Sequence, residues 1–253
     1  MSEKNRAVII TGGGSGIGKA IATTFAKNGD HVYIMGRKKE QLQEVVGSLS
    51  GYDVRSIVGD VTKPEEVQHV IDTVVKAHKT IDVLVNCAGA SSRIAAGMDL
   101  ATALKAWQAN IDVNLNGTFL MIHAATPHMT RPGGRIINIS SVAALSGSGQ
   151  PGGEGYAASK AGLHGLTRTL VKILAPEGIT INCVAPGFIK NTDFFSADTP
   201  MDERIKRASA VNPSDRVGNP DEVASAVFYL ASDKASYING DIINVNGGLQ
   251  FGR

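Results

Sequence analysis

The 253-residue chain sets 25 Lys and Arg against 23 Asp and Glu, a formal charge of +2, with 43% hydrophobic and 19% charged residues. That balance suits one substantial α/β core, with residues 1–253 as a single domain. It gives no reason to expect a nucleic-acid partner, since no basic run exceeds Arg37-Lys38-Lys39, or a membrane, since no stretch is long and apolar enough to span one.

Along the chain, short β-branched runs alternate with amphipathic stretches. Met1-Ser2-Glu3-Lys4-Asn5-Arg6 leads straight into an apolar strand with no secretory signal pattern, and a cytoplasmic protein is expected. Strands are expected at 6–11, 31–36, 53–58, 81–86, 134–140, 179–184 and 240–245. Helices are expected at 16–28, 38–49, 64–78, 100–115, 117–129, 155–175 and 220–231. Such alternation implies right-handed crossovers and a Rossmann-like, doubly wound sandwich: a seven-stranded parallel sheet with helices on both faces. Thr62-Lys63-Pro64-Glu65-Glu66 and Asn219-Pro220-Asp221-Glu222 carry helix-start signals, with a cap, a first-position Pro and acid in the first turn. Residues 187–215, with Phe188, Phe194, Phe195, Pro200, Met201 and Pro213, fit neither pattern and are expected to form a mobile lid with one or two short helices. Cys87 and Cys183 fall in different strands without ligand spacing, so no metal site is expected and both read as small buried residues of a reducing compartment.

The first strand runs into Thr11-Gly12-Gly13-Gly14-Ser15-Gly16-Ile17-Gly18, which opens the first helix. Glycines there permit a tight turn and close approach of a pyrophosphate to backbone, and the helix N-terminus supplies N–H groups and positive dipole. The second strand ends in Gly36-Arg37-Lys38, where an acid would bind a ribose 2′-hydroxyl; cations there favour a 2′-phosphate, hence NADPH over NADH, with NAD(H) still possible. Asp60, after the third strand, stands where it can accept from an adenine amino group or cap the next helix through Thr62. Asn86-Cys87-Ala88-Gly89 ends the fourth strand, where small residues let backbone line a dinucleotide crevice.

Tyr156 and Lys160 are four residues apart, one helical turn on one face. A phenol titrates near 10, too high for ready proton exchange at neutrality, and an adjacent ammonium favours the phenolate. Lowering it by about three units takes roughly 4 kcal/mol.

Thr11–Gly18, Asp60-Val61, Asn86–Gly89, Asn114, Ser141, the Tyr156/Lys160 pair, Pro186-Gly187 and Asn246-Gly247-Gly248, in this order, resemble the classical short-chain dehydrogenase/reductase family over essentially the whole chain. The stretch Arg216-Val217-Gly218-Asn219-Pro220-Asp221-Glu222 is similar to its 3-oxoacyl-carrier-protein reductase-like members. The resemblance implies that Tyr156 exchanges a proton with the substrate oxygen, that Lys160 lowers its pKa and holds the nicotinamide ribose, that Ser141 hydrogen-bonds the substrate, and that Asn114 positions a relay water. It also implies cofactor contacts from Gly12, Gly14, Ser15, Gly16, Ile17, Gly18, Asp60, Val61, Asn86, Ala88, Gly89, Pro186, Gly187 and Ile189. Thr192 would reach the carboxamide, although the family's threonine usually comes one residue earlier. A homotetramer built through helices 100–129 and 155–175 and the last strand is implied as well. Ser140 in place of Ser141, or Asn114 as a mere helix-kink residue, remain open alternatives.

The expected activity is reduction of a ketone or 3-oxoacyl group to a secondary alcohol, the partner being a small-molecule ketone or alcohol or an acyl thioester. Alternatives are a 3-oxoacyl-acyl-carrier-protein reductase proper, an NAD-dependent secondary-alcohol dehydrogenase, or a non-catalytic NADPH-sensing or scaffold protein. Glu177 replaces a basic residue that carrier-protein reductases tend to carry, which favours a free ketone or thioester. Enoyl reductases of the family separate Tyr and Lys more widely. The loop 147–155 is glycine-rich and expected to be flexible, with Glu154 pointing outward and Arg93 at the surface unless either meets a polar or charged substrate. His123, His128 and His164 are expected to be packing or surface residues.

Overall fold

In the computed structural model, residues 5–149, 151–190, 192 and 200–251 are described, except for the side chain of Met201. Strands β1 (Ala7–Thr11), β2 (His31–Gly36), β3 (Val54–Val58), β4 (Val83–Asn86), β5 (Arg135–Ile139), β6 (Thr180–Pro186) and β7 (Ile242–Val245) form one seven-stranded sheet in the order β3-β2-β1-β4-β5-β6-β7. Every pairing is parallel. The longer helices are α1 (Gly16–Asn28), α2 (Lys39–Ser48), α3 (Pro64–His78), α4 (Leu100–Ile111) and α5 (Gly117–Ala125). They are followed by the single turn α6 (Ala143–Ser146), then α7 (Glu154–Leu174), α8 (Met201–Ala210) and α9 (Pro220–Leu230).

Side-chain alternation along each strand feeds two separate cores. Val8 and Ile10 of β1, with Val32 and Ile34 of β2, pack among Ile21, Phe25, Leu42 and Val227 on one face. Ala7 and Ile9, with Tyr33 and Met35, pack among Val70, Ile71, Val74 and Met121 on the other. Helices therefore cover both faces, as the alternating pattern predicts.

The expected 100–115 helix is broken. α4 ends at Ile111 and a five-residue π-helical turn, Asp112–Asn116, leads into α5. Such turns re-aim side chains and occur often at functional sites. Within the expected lid, α8 is the helix among the described residues, and Phe194 and Phe195 lie outside them. The amino end of that segment is anchored: Gly218 N–H donates to Phe188 O at 2.9 Å and Lys190 N–H to Gly218 O at 3.0 Å. Among the described residues no helix is long and apolar enough to cross a membrane, and no three or more His, Cys, Asp or Glu gather as a metal would require.

Candidate active site

The strand order changes direction between β1 and β4, and the crevice outside their carboxyl ends is where open parallel sheets bind ligands. Thr11, closing β1, joins the two lips: its hydroxyl accepts from Cys87 N–H at 3.1 Å and Ala88 N–H at 3.0 Å. The approach is so tight that a Cβ on Gly12 (φ +68°) would stand 2.9 Å from Ala88 Cα. One on Gly18 would stand 2.2 Å from the Gly12 carbonyl oxygen, so α1 starts packed directly on the turn that precedes it. The result is a cradle of bare backbone at a helix N-terminus, holding Gly14, Ser15, Gly16 and Ile17 between those two glycines. Thr192 reaches it from beyond β6: a Cβ on Gly16 would stand 3.2 Å from Thr192 Cγ2.

Arg37 is 65% exposed and its guanidinium lies 4.0 Å from Asp60 Oδ2. Lys38, also exposed, is the residue before α2. Asp60 Oδ1 accepts from both the backbone and the hydroxyl of Thr62 at 2.9 Å in a local turn; the residue that caps α3 is Lys63, without a side-chain bond, so neither Asp60 nor Thr62 serves as the helix cap. The second oxygen of Asp60 faces Arg37. Val61, next along, is buried against the position of Gly117, where a Cβ would meet its Cγ2 at 2.6 Å.

Beneath the crevice a row of buried polar groups crosses the sheet. Asn86 Nδ2 donates to Asn138 Oδ1 at 2.9 Å, Asn138 Nδ2 donates to Thr167 Oγ1 at 3.0 Å, and Thr167 Oγ1 lies 3.2 Å from Cys183 Sγ. The row fixes α7 to β4, β5 and β6. Asn86 Oδ1 is buried without a hydrogen-bond partner among the described residues.

At the amino end of α7, Lys160 is 4% exposed and its ammonium donates at 2.7 Å to the carbonyl of Ile139, the last residue of β5. It sits 5.8 Å from the Tyr156 ring centroid. The two neighbouring serines divide their work. Ser140 is buried, with its hydroxyl 2.7 Å from His164 Nε2 and bonded to Lys160 O at 3.2 Å. Ser141 is half-buried; its Oγ accepts from Ala143 N–H at 3.1 Å and its side chain hydrogen-bonds Tyr156. Of the two, Ser141 faces the phenol.

The electrostatics differ from the expected lowered phenol. Burial pushes Tyr156 up to about 12, opposed by the Ser141 hydrogen bond, and burial brings Lys160 down to about 8. The expectation took Lys160 as a fixed charge that lowers the phenol; instead burial is the largest influence on both groups, and it disfavours the charged form of each. Cys87 and Cys183 are pushed up by burial to about 12 and about 11, so both stay uncharged thiols while Lys160 titrates.

Asn114, in the π-helical turn, is fully buried. Its Oδ1 accepts from Ala90 N–H at 3.1 Å, and its Nδ2 donates to Ala90 O and Asn110 O at 2.9 Å. The space above Gly89, where a Cβ would stand, is 3.1 Å from Asn114 Oδ1 and 3.5 Å from Lys160 Nζ. On the far side, Pro186 and Gly187 close β6: Val142 N–H donates to Pro186 O at 2.9 Å and Gly187 N–H to Val245 O at 3.0 Å. Ile189 is buried and bridges to Gly218.

The carboxyl end of the glycine-rich loop, at Pro151 and Gly152, is tied to the segment before α4. Ile94 N–H donates to Gly152 O at 2.9 Å, and Arg93 donates to Pro151 O at 3.1 Å, which gives that arginine a structural contact at the surface. A Cβ on Gly152 (φ +83°) would stand 2.5 Å from Ile94 O, so glycine serves close packing here as much as freedom. Gln150 is outside the described residues, and Glu154 points outward as the exposed first residue of α7. Glu177 forms an ion pair with Arg131. His164 is the packing residue expected, and His123 stacks on Phe119 at 5.6 Å. Asn110 escaped the sequence reading; its signal is an asparagine in a helix interior, one turn before Asn114. A cavity of about 500 Å³ lined by Tyr33, Arg55 and Lys76 includes none of these site residues.

Comparison with known proteins adds a family model described as Enoyl-(Acyl carrier protein) reductase, which matches residues 12–250. The chain is 39% identical to the 3-oxoacyl-(acyl-carrier-protein) reductase FabG of Thermotoga maritima, over 98% of this chain and 99% of the relative. It is 38% identical to the protein of the same name from Staphylococcus epidermidis, over 97% and 99%. It is 37% identical to human Dehydrogenase/reductase SDR family member 4, over 96% and 87%.

Proposed function

Since the chain belongs to the short-chain dehydrogenase/reductase family, we propose that it is a single-domain NADPH-dependent oxidoreductase that reduces a ketone or 3-oxoacyl group to a secondary alcohol, reversibly. The observation that carries this is the Tyr156 hydroxyl bonded to Ser141 beside the buried Lys160, all at the carboxyl edge of the sheet next to the glycine cradle. NADPH, when bound, supplies the hydride that goes to the carbonyl carbon.

The chain's own residues do the rest. Gly12 to Gly18, Asn86, Ala88 and Gly89 offer backbone to the dinucleotide; Arg37 and Lys38 offer charge to a 2′-phosphate; Pro186, Gly187, Ile189 and Thr192 flank the nicotinamide end. Ser141 and Tyr156 converge on one substrate oxygen, Ser141 orienting it and Tyr156 delivering the proton. A phenol held protonated by burial is the right starting form for reduction. Lys160 keeps two ammonium donors beyond its bond to Ile139 O for a ribose and a relay water. Asn114 Oδ1, which shares the space above Gly89 with Lys160, holds that water.

Glu177, neutralised by Arg131, offers no basic contact for an acidic carrier, so a free ketone or small thioester is the preferred substrate form. The expected homotetramer finds support in Leu100, Leu104 and Trp107, which are exposed at i, i+4 and i+7 on one face of α4.

The description of the family model raises a second reading, enoyl reduction. Two hydroxyls aimed at one oxygen suit a carbonyl better. Purified protein and NADPH are to be given ethyl acetoacetate, S-acetoacetyl-N-acetylcysteamine and S-crotonyl-N-acetylcysteamine, following loss of NADPH absorbance. Turnover of either 3-oxo compound supports the proposal. Turnover of the crotonyl thioester alone favours enoyl reduction, and tight NADPH binding with no turnover favours a sensor.

A further inference from the structure

We propose that Asn110 is a positioning residue for this reaction: it clamps the segment 90–94, which in turn holds the loop leading into Tyr156. The inference rests on the reductase reading for its kinetic consequence, though not for its geometry. Asn110 is fully buried in α4. Its Oδ1 accepts from Ser92 N–H at 3.1 Å, and its Nδ2 donates to Ser92 O at 2.8 Å and to Ala106 O at 2.8 Å. Asn114, one turn on, takes the N–H and O of Ala90 in the same way. Two amides at i and i+4 therefore grip alternate residues of an extended strap, each supplying the donor and acceptor that a neighbouring strand would supply.

The strap transmits that grip. Beyond Ser92, Arg93 bonds Pro151 O and Ile94 bonds Gly152 O, and four residues after Gly152 stands Tyr156. Asn110 also meets the first turn of α7 directly, since a Cβ on Gly155 would stand 2.9 Å from its Nδ2 and 3.3 Å from its Cβ. One side chain thus sets the spacing between α4, the strap and the residue before Tyr156. Ser92 has both backbone groups committed to that single amide, so losing it frees the strap at its middle. A displacement near 1 Å at a reacting group is enough to cost on the order of 100-fold in rate.

Two substitutions test this. Asn110→Leu keeps the bulk and removes all three bonds. Asn110→Asp keeps the acceptor for Ser92 N–H but sets a carboxylate against the carbonyls of Ser92 and Ala106; its protonated form restores one donor, and burial among carbonyls raises its pKa. For Asn110→Leu, kcat/KM for S-acetoacetyl-N-acetylcysteamine should fall at least about tenfold while NADPH affinity and stoichiometry stay within about twofold. For Asn110→Asp, activity relative to the unsubstituted protein should rise at least about fivefold as pH is lowered from 8 to 5.5, a profile that a merely space-filling residue would not produce. Amide exchange over residues 90–94 should quicken at least about tenfold in both variants at pH 8, measured with NADPH bound. Unchanged exchange, or a pH-independent activity ratio for Asn110→Asp, overturns the proposal. Should Asn110→Leu not fold, Asn110→Asp carries both arms. Should the unsubstituted protein reduce no 3-oxo compound, the reductase reading is what fails, and the exchange measurement still decides the clamp.

Discussion

Replacing Lys160 with Met should make the cofactor-free protein more stable and inactive at once. The ammonium is 4% exposed, and burial lowers its pKa from 10.5 to about 8. At about 1.4 kcal/mol per pK unit, that displacement corresponds to about 3 kcal/mol by which the folded state disfavours the charged form. The sign follows from linkage. Below about pH 8 both folded and unfolded chains hold the proton and the full cost is present; between 8 and 10.5 the unfolded chain binds more protons, so stability rises with pH and the cost disappears. Met fills similar volume without charge, but forfeits the bond to Ile139 O, worth about 1 kcal/mol. The net expectation at pH 7 is a gain of about 2 kcal/mol, or roughly 4–8 °C in Tm for a chain this size. The assay is thermal or urea unfolding of both proteins at equal concentration, from pH 7 to 10.5, reading the difference so that the tyrosines and thiols they share cancel. A variant less stable than its parent at pH 7, or a difference that does not shrink towards pH 10.5, would refute the reasoning.

Arg37→Asp should move the ratio of kcat/KM for NADPH over NADH by at least about tenfold towards NADH, because a carboxylate would replace the exposed guanidinium where a 2′-phosphate is expected; an unchanged ratio would place phosphate recognition elsewhere. Carbonyl reduction needs Tyr156 protonated, which its value near 12 secures, and Lys160 charged, which its value near 8 limits. The rate of reduction at saturating NADPH should therefore be level below about pH 7 and fall above about pH 8, and a rate rising through that range would contradict the assignment.

Periodicity and glycine placement made the sheet, its covering helices and the glycine cradle legible in the sequence, because those features follow from local spacing. α1 and α3 have the expected bounds, Gly16–Asn28 and Pro64–His78. What depends on tertiary neighbours was not legible. The ties of Pro151 and Gly152 to Arg93 and Ile94, over 50 residues away in sequence, leave no mark in the loop's own residues. The direction of the Tyr156 shift follows from how deeply the phenol is itself buried, which residue spacing does not encode. The interruption of the helix at Asp112–Asn116 carries no proline or glycine within it, and Asn110 gains meaning only from where Ser92 and Gly155 come to rest.

Tyr156→Phe, followed in a single turnover with excess enzyme, saturating NADPH and S-acetoacetyl-N-acetylcysteamine, isolates the proposed proton delivery. Loss of the hydroxyl should slow alcohol formation by at least about 1,000-fold while NADPH affinity stays within threefold. Alcohol formed at a rate within tenfold of the unsubstituted protein would mean that another group protonates the carbonyl oxygen.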